Sequence, residues 1–142
     1  MASLAEDRDE IRHLLASYTY HGDRGRIDEL AACFSKRGIL EYPGKSATGP
    51  QAIAASLTQG SGERDPDLTF VRHHITNPLI EIDGDTAIAR SYFTVVTNSG
   101  LDHSGTYSDR LAHTAEGWRF AHRLVRVDWQ SEHSMFRRMA TR

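Results

Sequence analysis

A histidine in an apolar setting opens the chemistry of this chain: His73, in the run Phe70-Val71-Arg72-His73-His74-Ile75-Thr76-Asn77. Side chains alternate between the faces of a strand, so His73 shares a face with Val71 and Ile75, and His74 shares the other with Arg72 and Thr76. An imidazole on the apolar face needs a partner. Asp23 stands fifty positions earlier, where a first helix ends. If the two meet, they form a general base and its orienting carboxylate, and the protein is a small enzyme. Each also has a structural reading: His73 as a core histidine satisfied by a backbone carbonyl, Asp23 as a turn or helix-cap residue. Spacing alone leaves both open.

The positioning elements are readable from periodicity. Ile11, Leu14, Leu15 and Tyr18 recur at the spacing of one helix face, and Gly22 and Gly25 interrupt the pattern. Ile27, Leu30, Ala31 and Phe34 repeat it in a short second helix. Thr48-Gly49-Pro50-Gln51 signals a third, with Thr48 as its cap, Pro50 in the first turn, and Ile53 and Leu57 buried. From Leu68 the pattern turns to strands: Leu68 to Ile82 with a bulge or kink at Asn77-Pro78, a turn at Asp83-Gly84-Asp85, Thr86 to Thr97, a turn at Asn98-Ser99-Gly100, His103 to His113, a turn at Glu116-Gly117, and Trp118 to Trp129. Strands joined by tight turns imply an antiparallel meander with helices over one face. The fold class is therefore α+β, a strongly curved antiparallel sheet covered by N-terminal helices. Thr58 to Asp67 reads as a surface loop and pocket rim. The tail from Glu132 to Arg142 reads either as a short helix packed on the sheet or a partner subunit, or as a solvated end.

Composition sets the bounds. The chain has 142 residues, 39% of them hydrophobic, which suits one domain over residues 1–142 with a real core. A formal net charge of −2 gives no basic field for a nucleic acid or an anionic membrane surface. The single cysteine, Cys33, excludes an intramolecular disulfide and a cysteine-rich zinc site and suits a cytoplasmic setting. Met1-Ala2-Ser3-Leu4-Ala5-Glu6-Asp7 lacks the character of a signal peptide, and no apolar run approaches the ~20 residues of a membrane span, so a soluble mature domain is expected. Nucleotide-binding, zinc-protease and serine-hydrolase motifs are absent. His73 and His74 point to opposite faces and no neighbouring ligand spacing completes a site, so no metal is expected.

The helix bearing Tyr18 and Asp23, the run His73-His74-Ile75-Thr76-Asn77, the segment Gly105-Thr106-Tyr107-Ser108-Asp109, and Gly117-Trp118-Arg119-Phe120 with Arg123 together resemble the SnoaL-like branch of the nuclear transport factor 2-like superfamily. The resemblance covers almost the whole chain and lies nearest scytalone dehydratase and hexachlorocyclohexane dehydrochlorinase. It implies a cone-shaped pocket between sheet and helices, with His73 as proton-abstracting base and Asp23 as its orienting group. Tyr42 falls where the dehydratase polarises a carbonyl through water, although an ordinary half-buried strand aromatic accounts for it as well. Tyr107, Tyr18 and Arg123 join the list of substrate-binding residues, Arg123 sharing a face with Val125 and Val127 by parity, or pairing structurally with Asp109 or Asp23.

Two departures narrow the reaction. Gly22 replaces a tyrosine before the Asp, and a second strand histidine expected near Val96 is missing. What remains is proton abstraction beside an activating carbonyl or ring, followed by elimination or reprotonation, as in a lyase or isomerase without a cofactor. The substrate would be small, largely apolar, and carbonyl-bearing or cyclic. A non-catalytic small-molecule-binding domain of the same fold and an assembly subunit like the small subunit of ring-hydroxylating dioxygenases are the alternatives. Association into homodimers or trimers through the sheet face is expected from the resemblance.

Overall fold

The computed structural model describes residues 2–59 and 65–141. In chain order these form α1 (Leu4–Asp23), α2 (Ile27–Ala31), β1 (Phe34–Tyr42), β2 (Lys45–Thr48), α3 (Pro50–Gln59), β3 (Val71–Asp83), β4 (Thr86–Thr97), β5 (Gly100–Thr114) and β6 (Gly117–Gln130). The six strands make one curved sheet in the order β2-β1-β6-β5-β4-β3. β3 to β6 run as the expected antiparallel meander. The sheet as a whole is mixed, because β1 pairs with β6 in parallel. The chain leaves β2 through α3 for the far edge, and the returning meander brings β6 alongside β1 in the same direction.

α1 starts at a capping box, in which the Ser3 hydroxyl accepts from the Glu6 backbone N–H and the Glu6 carboxylate accepts from that of Ser3. Ile11, Leu14 and Leu15 are its buried stripe, as the periodicity predicts. Its first two turns are pinned by Trp118, whose indole N–H donates to Asp7 at 3.0 Å and whose backbone N–H donates to Glu10 at 2.6 Å. Phe34, expected at the end of α2, instead opens β1: the helix closes after one turn, and the Phe34 ring packs on Phe120, its partner in the parallel pairing, at 5.2 Å. Thr48 belongs to β2 and pairs with Ile39, so the residue entering α3 is Gly49, at φ +87°. The expected loop from Thr58 begins as the last turn of α3, and residues 60–64 of it lie outside the described residues.

The Asn77-Pro78 bulge is present. The β3–β4 register shifts between Thr76 and Leu79, and Asn77 takes a left-handed φ of +56°. The tail is neither of the expected forms. It folds back as an irregular strap, tied by Gln130, whose amide donates to Ser134 Oγ and to the carbonyls of Phe136 and Arg137 while its oxygen accepts from the Met139 backbone. Met135 is buried, and Phe136 and Met139 pack against the cluster of Phe93, Val95, Tyr107 and Val127. No described helix is long and apolar enough to cross a membrane.

Candidate active site

Cross-strand pairing arranges the inner face of the sheet in rows, since directly paired residues project to the same side. One row runs His73, Val95, His103, Gln130 across β3 to β6, and the next runs Ile75, Phe93, Gly105, Val127. Further along stand Tyr107 with Val125, and then Asp109 with Arg123. The groups able to do chemistry therefore lie along a short stretch of one concave face, with the α1 side chain of Tyr18 set against them.

Asp23 holds His73 at two points. The His73 backbone N–H donates to Asp23 Oδ2 at 2.9 Å, and the ring Nδ1 meets Oδ1 at 2.6 Å. A carboxylate only accepts, so Nδ1 carries the proton and Nε2 keeps its lone pair. Nε2 has no hydrogen-bond partner among the described residues, and the His73 side chain is 29% exposed against 8% for Asp23. Asp23 is the last residue of α1, an end where the helix dipole disfavours an anion, so two donors from β3 satisfy a carboxylate that its own helix does not. The expected meeting of these two residues is found.

Behind the dyad the aromatic residues form a ladder. The His73 ring lies 6.4 Å from Phe93, Phe93 stacks on Tyr107 at 4.6 Å, and Tyr107 meets Tyr18 edge-on at 6.0 Å. The ladder ends on Arg123, whose guanidinium carbon lies 3.8 Å from the Tyr107 ring centre, 4.3 Å from that of Tyr18 and 4.4 Å from that of Phe120. Of the two carboxylates open to Arg123, Asp109 is the partner: Nε and Nη2 donate to it at 2.8 and 2.9 Å. Both side chains are fully buried. Burial alone would disfavour the charged guanidinium, but Asp109 reverses this and holds Arg123 above the ordinary arginine range. Burial likewise raises both tyrosines against the opposing pull of Arg123, so Tyr18 and Tyr107 keep their phenolic protons. Tyr42 sits elsewhere. It packs with the N-terminal core, and its hydroxyl bonds to Ser56 of α3.

Sequence reasoning missed a second imidazole–carboxylate pair. Asp102 and His103 are adjacent in β5, and simple alternation would send them to opposite faces. A bulge intervenes: Val95 pairs with His103 but Val96 pairs with Leu101, so Asp102 is the extra residue and both side chains turn inward. Asp102 Oδ1 lies 2.7 Å from His103 Nδ1, and the carboxylate also accepts from Ser134 Oγ at 2.6 Å and the Met135 N–H at 2.7 Å. Burial works to raise the Asp102 pKa, and the bonds from Ser134, His103 and Met135 outweigh it, leaving the group below its ordinary value. Burial lowers the pKa of His103, Asp102 opposes that shift, and the neighbouring His73 adds to it. An Asp-His pair just ahead of Gly105 was the only signal in the sequence. Among the described residues no three metal-ligating side chains converge.

Comparisons with known proteins agree with this architecture. An uncharacterized protein of Mycobacterium tuberculosis is 26% identical over 136 residues, covering 87% of this chain and 88% of its own. A cystatin-like-fold protein of unknown function from Nostoc punctiforme superposes with a TM-score of 0.78 at 25% identity, over 90% of this chain and 96% of that one. A Novosphingobium aromaticivorans protein provisionally assigned as a scytalone dehydratase superposes with a TM-score of 0.76, also at 25% identity, over 92% and 89%. The family model for the SnoaL-like domain matches residues 3–124, and the chain belongs to that family, which includes polyketide cyclases and dehydratases.

Proposed function

We propose that the protein is a cofactor-independent lyase or isomerase in which His73 removes a proton from carbon in a small, mostly apolar, carbonyl-bearing or cyclic substrate. The observation that carries this reading is the two-point grip of Asp23 on His73, which fixes the ring and its tautomer while leaving Nε2 without a partner among the described residues. In the reaction Nε2 takes the C–H proton, and Asp23 stabilises the imidazolium that forms. Such a base contributes roughly 10²- to 10⁴-fold in rate. The electron pair moves toward the carbonyl oxygen, where a hydroxyl held in its protonated form, Tyr107 or Tyr18, is the available donor. The likeness to the assigned scytalone dehydratase supports this class of chemistry.

Arg123, committed to Asp109 and enclosed by three rings, shapes the floor of the site electrostatically. Tyr42 would need to leave Ser56 before it could touch a substrate. The outer sheet face carries exposed Leu79, Ile88, Tyr92, Leu101 and Trp129, which supports association of copies into a dimer or trimer through that face. Buried, unpaired Cys33 suits a reducing cytoplasm.

The test is deuterium uptake from D2O into a panel of small cyclic ketones, followed by mass spectrometry. Uptake by the natural chain and its near-complete loss in both His73→Ala and Asp23→Asn, each still folded, is the expected result. Equal uptake in the natural chain and both variants would overturn the reading.

A further inference from the structure

We infer that Phe93 sets the size of the substrate: its ring closes the concave centre of the sheet to the space beside His73 and restricts the substrate to a single unfused ring. This rests on the proposed role of His73 and narrows the substrate class of that same site.

The boundary between open and filled space falls on one strand. On the inner face of β3, Val71, His73 and Ile75 are only half-buried. Their direct partners on β4, Thr97, Val95 and Phe93, are buried. Beyond them Tyr107, Val127 and Arg123 are buried as well, so the space beside His73 extends over β3 and ends at β4. Of the three β4 partners Phe93 has the largest side chain. Its ring lies between the regions, 6.4 Å from the His73 ring and 6.0 Å from that of His103.

The ring is held from two sides. It reaches from β4 across to β5, where Gly105 presents only backbone, and a Cβ there would stand 2.7 Å from Phe93 Cζ and 2.8 Å from Cε1. Phe93 therefore fills the place of the side chain that β5 lacks in this row. Tyr107, two residues further along β5 on the same face, stacks on it at 4.6 Å and 24°. Phe136 and Met139 of the C-terminal strap pack against the same cluster. Swinging the ring aside for a larger substrate would break the stack and open a void over glycine, which a close-packed interior resists.

Shortening this one side chain has a definite consequence. Gly105 supplies nothing to refill the space, so Phe93→Ala leaves an apolar void one ring in size beside His73. An apolar void of that size takes up a ring-sized ligand. The variant should accept a second fused ring where the natural chain refuses it. Selection of this kind in an apolar pocket is worth roughly 10- to 200-fold for each added methylene.

The experiment uses the full chain with phenol and 2-naphthol, which differ by one fused ring and carry the oxygen of an enol without being able to react. Dissociation constants are read from the NMR shifts of the His73 ring protons. The natural chain should bind phenol at least as tightly as 2-naphthol, although the naphthol offers more apolar surface. In Phe93→Ala the preference should move toward 2-naphthol by about tenfold or more. Phe93→Leu, which removes only the part of the ring lying over Gly105, should move it the same way by a smaller factor and covers the case in which Phe93→Ala fails to fold. Tighter binding of 2-naphthol by the natural chain, an unchanged preference in a folded variant, or no shift of the His73 signals with either probe overturns the inference. Deuterium uptake by cyclohexanone from D2O, and its loss in His73→Ala, tests the base separately. Uptake that depends on His73, together with an unchanged probe preference, removes the role of Phe93 and leaves the base.

Discussion

Asp23 grips His73 through both carboxylate oxygens, one on the backbone N–H and one on the ring, across fifty residues of sequence. The ring bond sets the tautomer and the backbone bond sets where the ring stands. Asp23→Asn preserves size, but its amide nitrogen can only donate to the ring, and Nδ1 would then have to accept. The proton would move to Nε2, where the substrate must deliver its own. Proton abstraction should therefore fall by roughly 10²- to 10⁴-fold with little change in the circular dichroism spectrum. A loss below threefold would show that the tautomer is not controlled by Asp23.

Acid should destabilise the fold in two stages. The His103 pKa is lowered from its ordinary 6.5, chiefly by burial, so the unfolded chain binds this proton more readily than the folded one. Its stabilising contribution is present above about pH 6.5 and is lost as pH falls toward the lowered folded value. The Asp102 pKa is also lowered, from 3.8, by bonds that offset its burial. That contribution is present above pH 3.8 and is lost as pH falls through the folded value. Calorimetry from pH 8 to pH 3 should show Tm falling first below about 6.5, and His103→Gln should flatten that first decline. An equal decline in the variant would assign it to other groups.

Gly105 is required by contact. A Cβ at this position would collide with the Arg126 carbonyl oxygen and stand 2.7 Å from the Phe93 ring, so the ring between the two histidines lies directly on glycine backbone. Gly105→Ala must push the strands or the ring aside, at a cost of about 1–3 kcal/mol or more. Urea unfolding measures this. A variant as stable as the natural chain would mean that Phe93 moves freely.

Arg123 and Asp109 are a buried pair whose members cannot be removed singly at low cost. Arg123 Nη1 already lacks a hydrogen-bond partner among the described residues, and Asp109→Leu would leave the whole charge uncompensated among three aromatic rings. The single change should cost about 3–5 kcal/mol, whereas Arg123→Met combined with Asp109→Leu should cost less than either change alone. Chemical denaturation of the three variants measures the coupling. Additive losses would show that the two residues do not act as a pair.

The sequence by itself determined much of the frame. Helix periodicity in Ile11, Leu14 and Leu15, the turn at Asp83-Gly84-Asp85 and the bulge at Asn77-Pro78 are local consequences of residue type, and they survive folding because no distant contact competes with them. Strand parity likewise placed His73 and Arg123 on the inner face. Phe34 and Thr48 went astray at element ends, where a single long-range pairing, Phe34 with Phe120 or Thr48 with Ile39, decides the conformation over local preference. The parallel join of β1 to β6 was equally hidden, since strand direction follows from the path of the whole chain.

Only the tertiary structure decided which carboxylate pairs with which imidazole. Asp23 meets His73 because α1 ends beside β3, a fact of packing that spacing cannot express. Asp102 was beyond reach for a sharper reason. Alternation reverses at a bulge, a bulge is visible only against its partner strand, and a one-residue excess in β5 turns both Asp102 and His103 inward as a second buried pair. The fold of this protein is written largely in local pattern, and its chemistry in the register between strands.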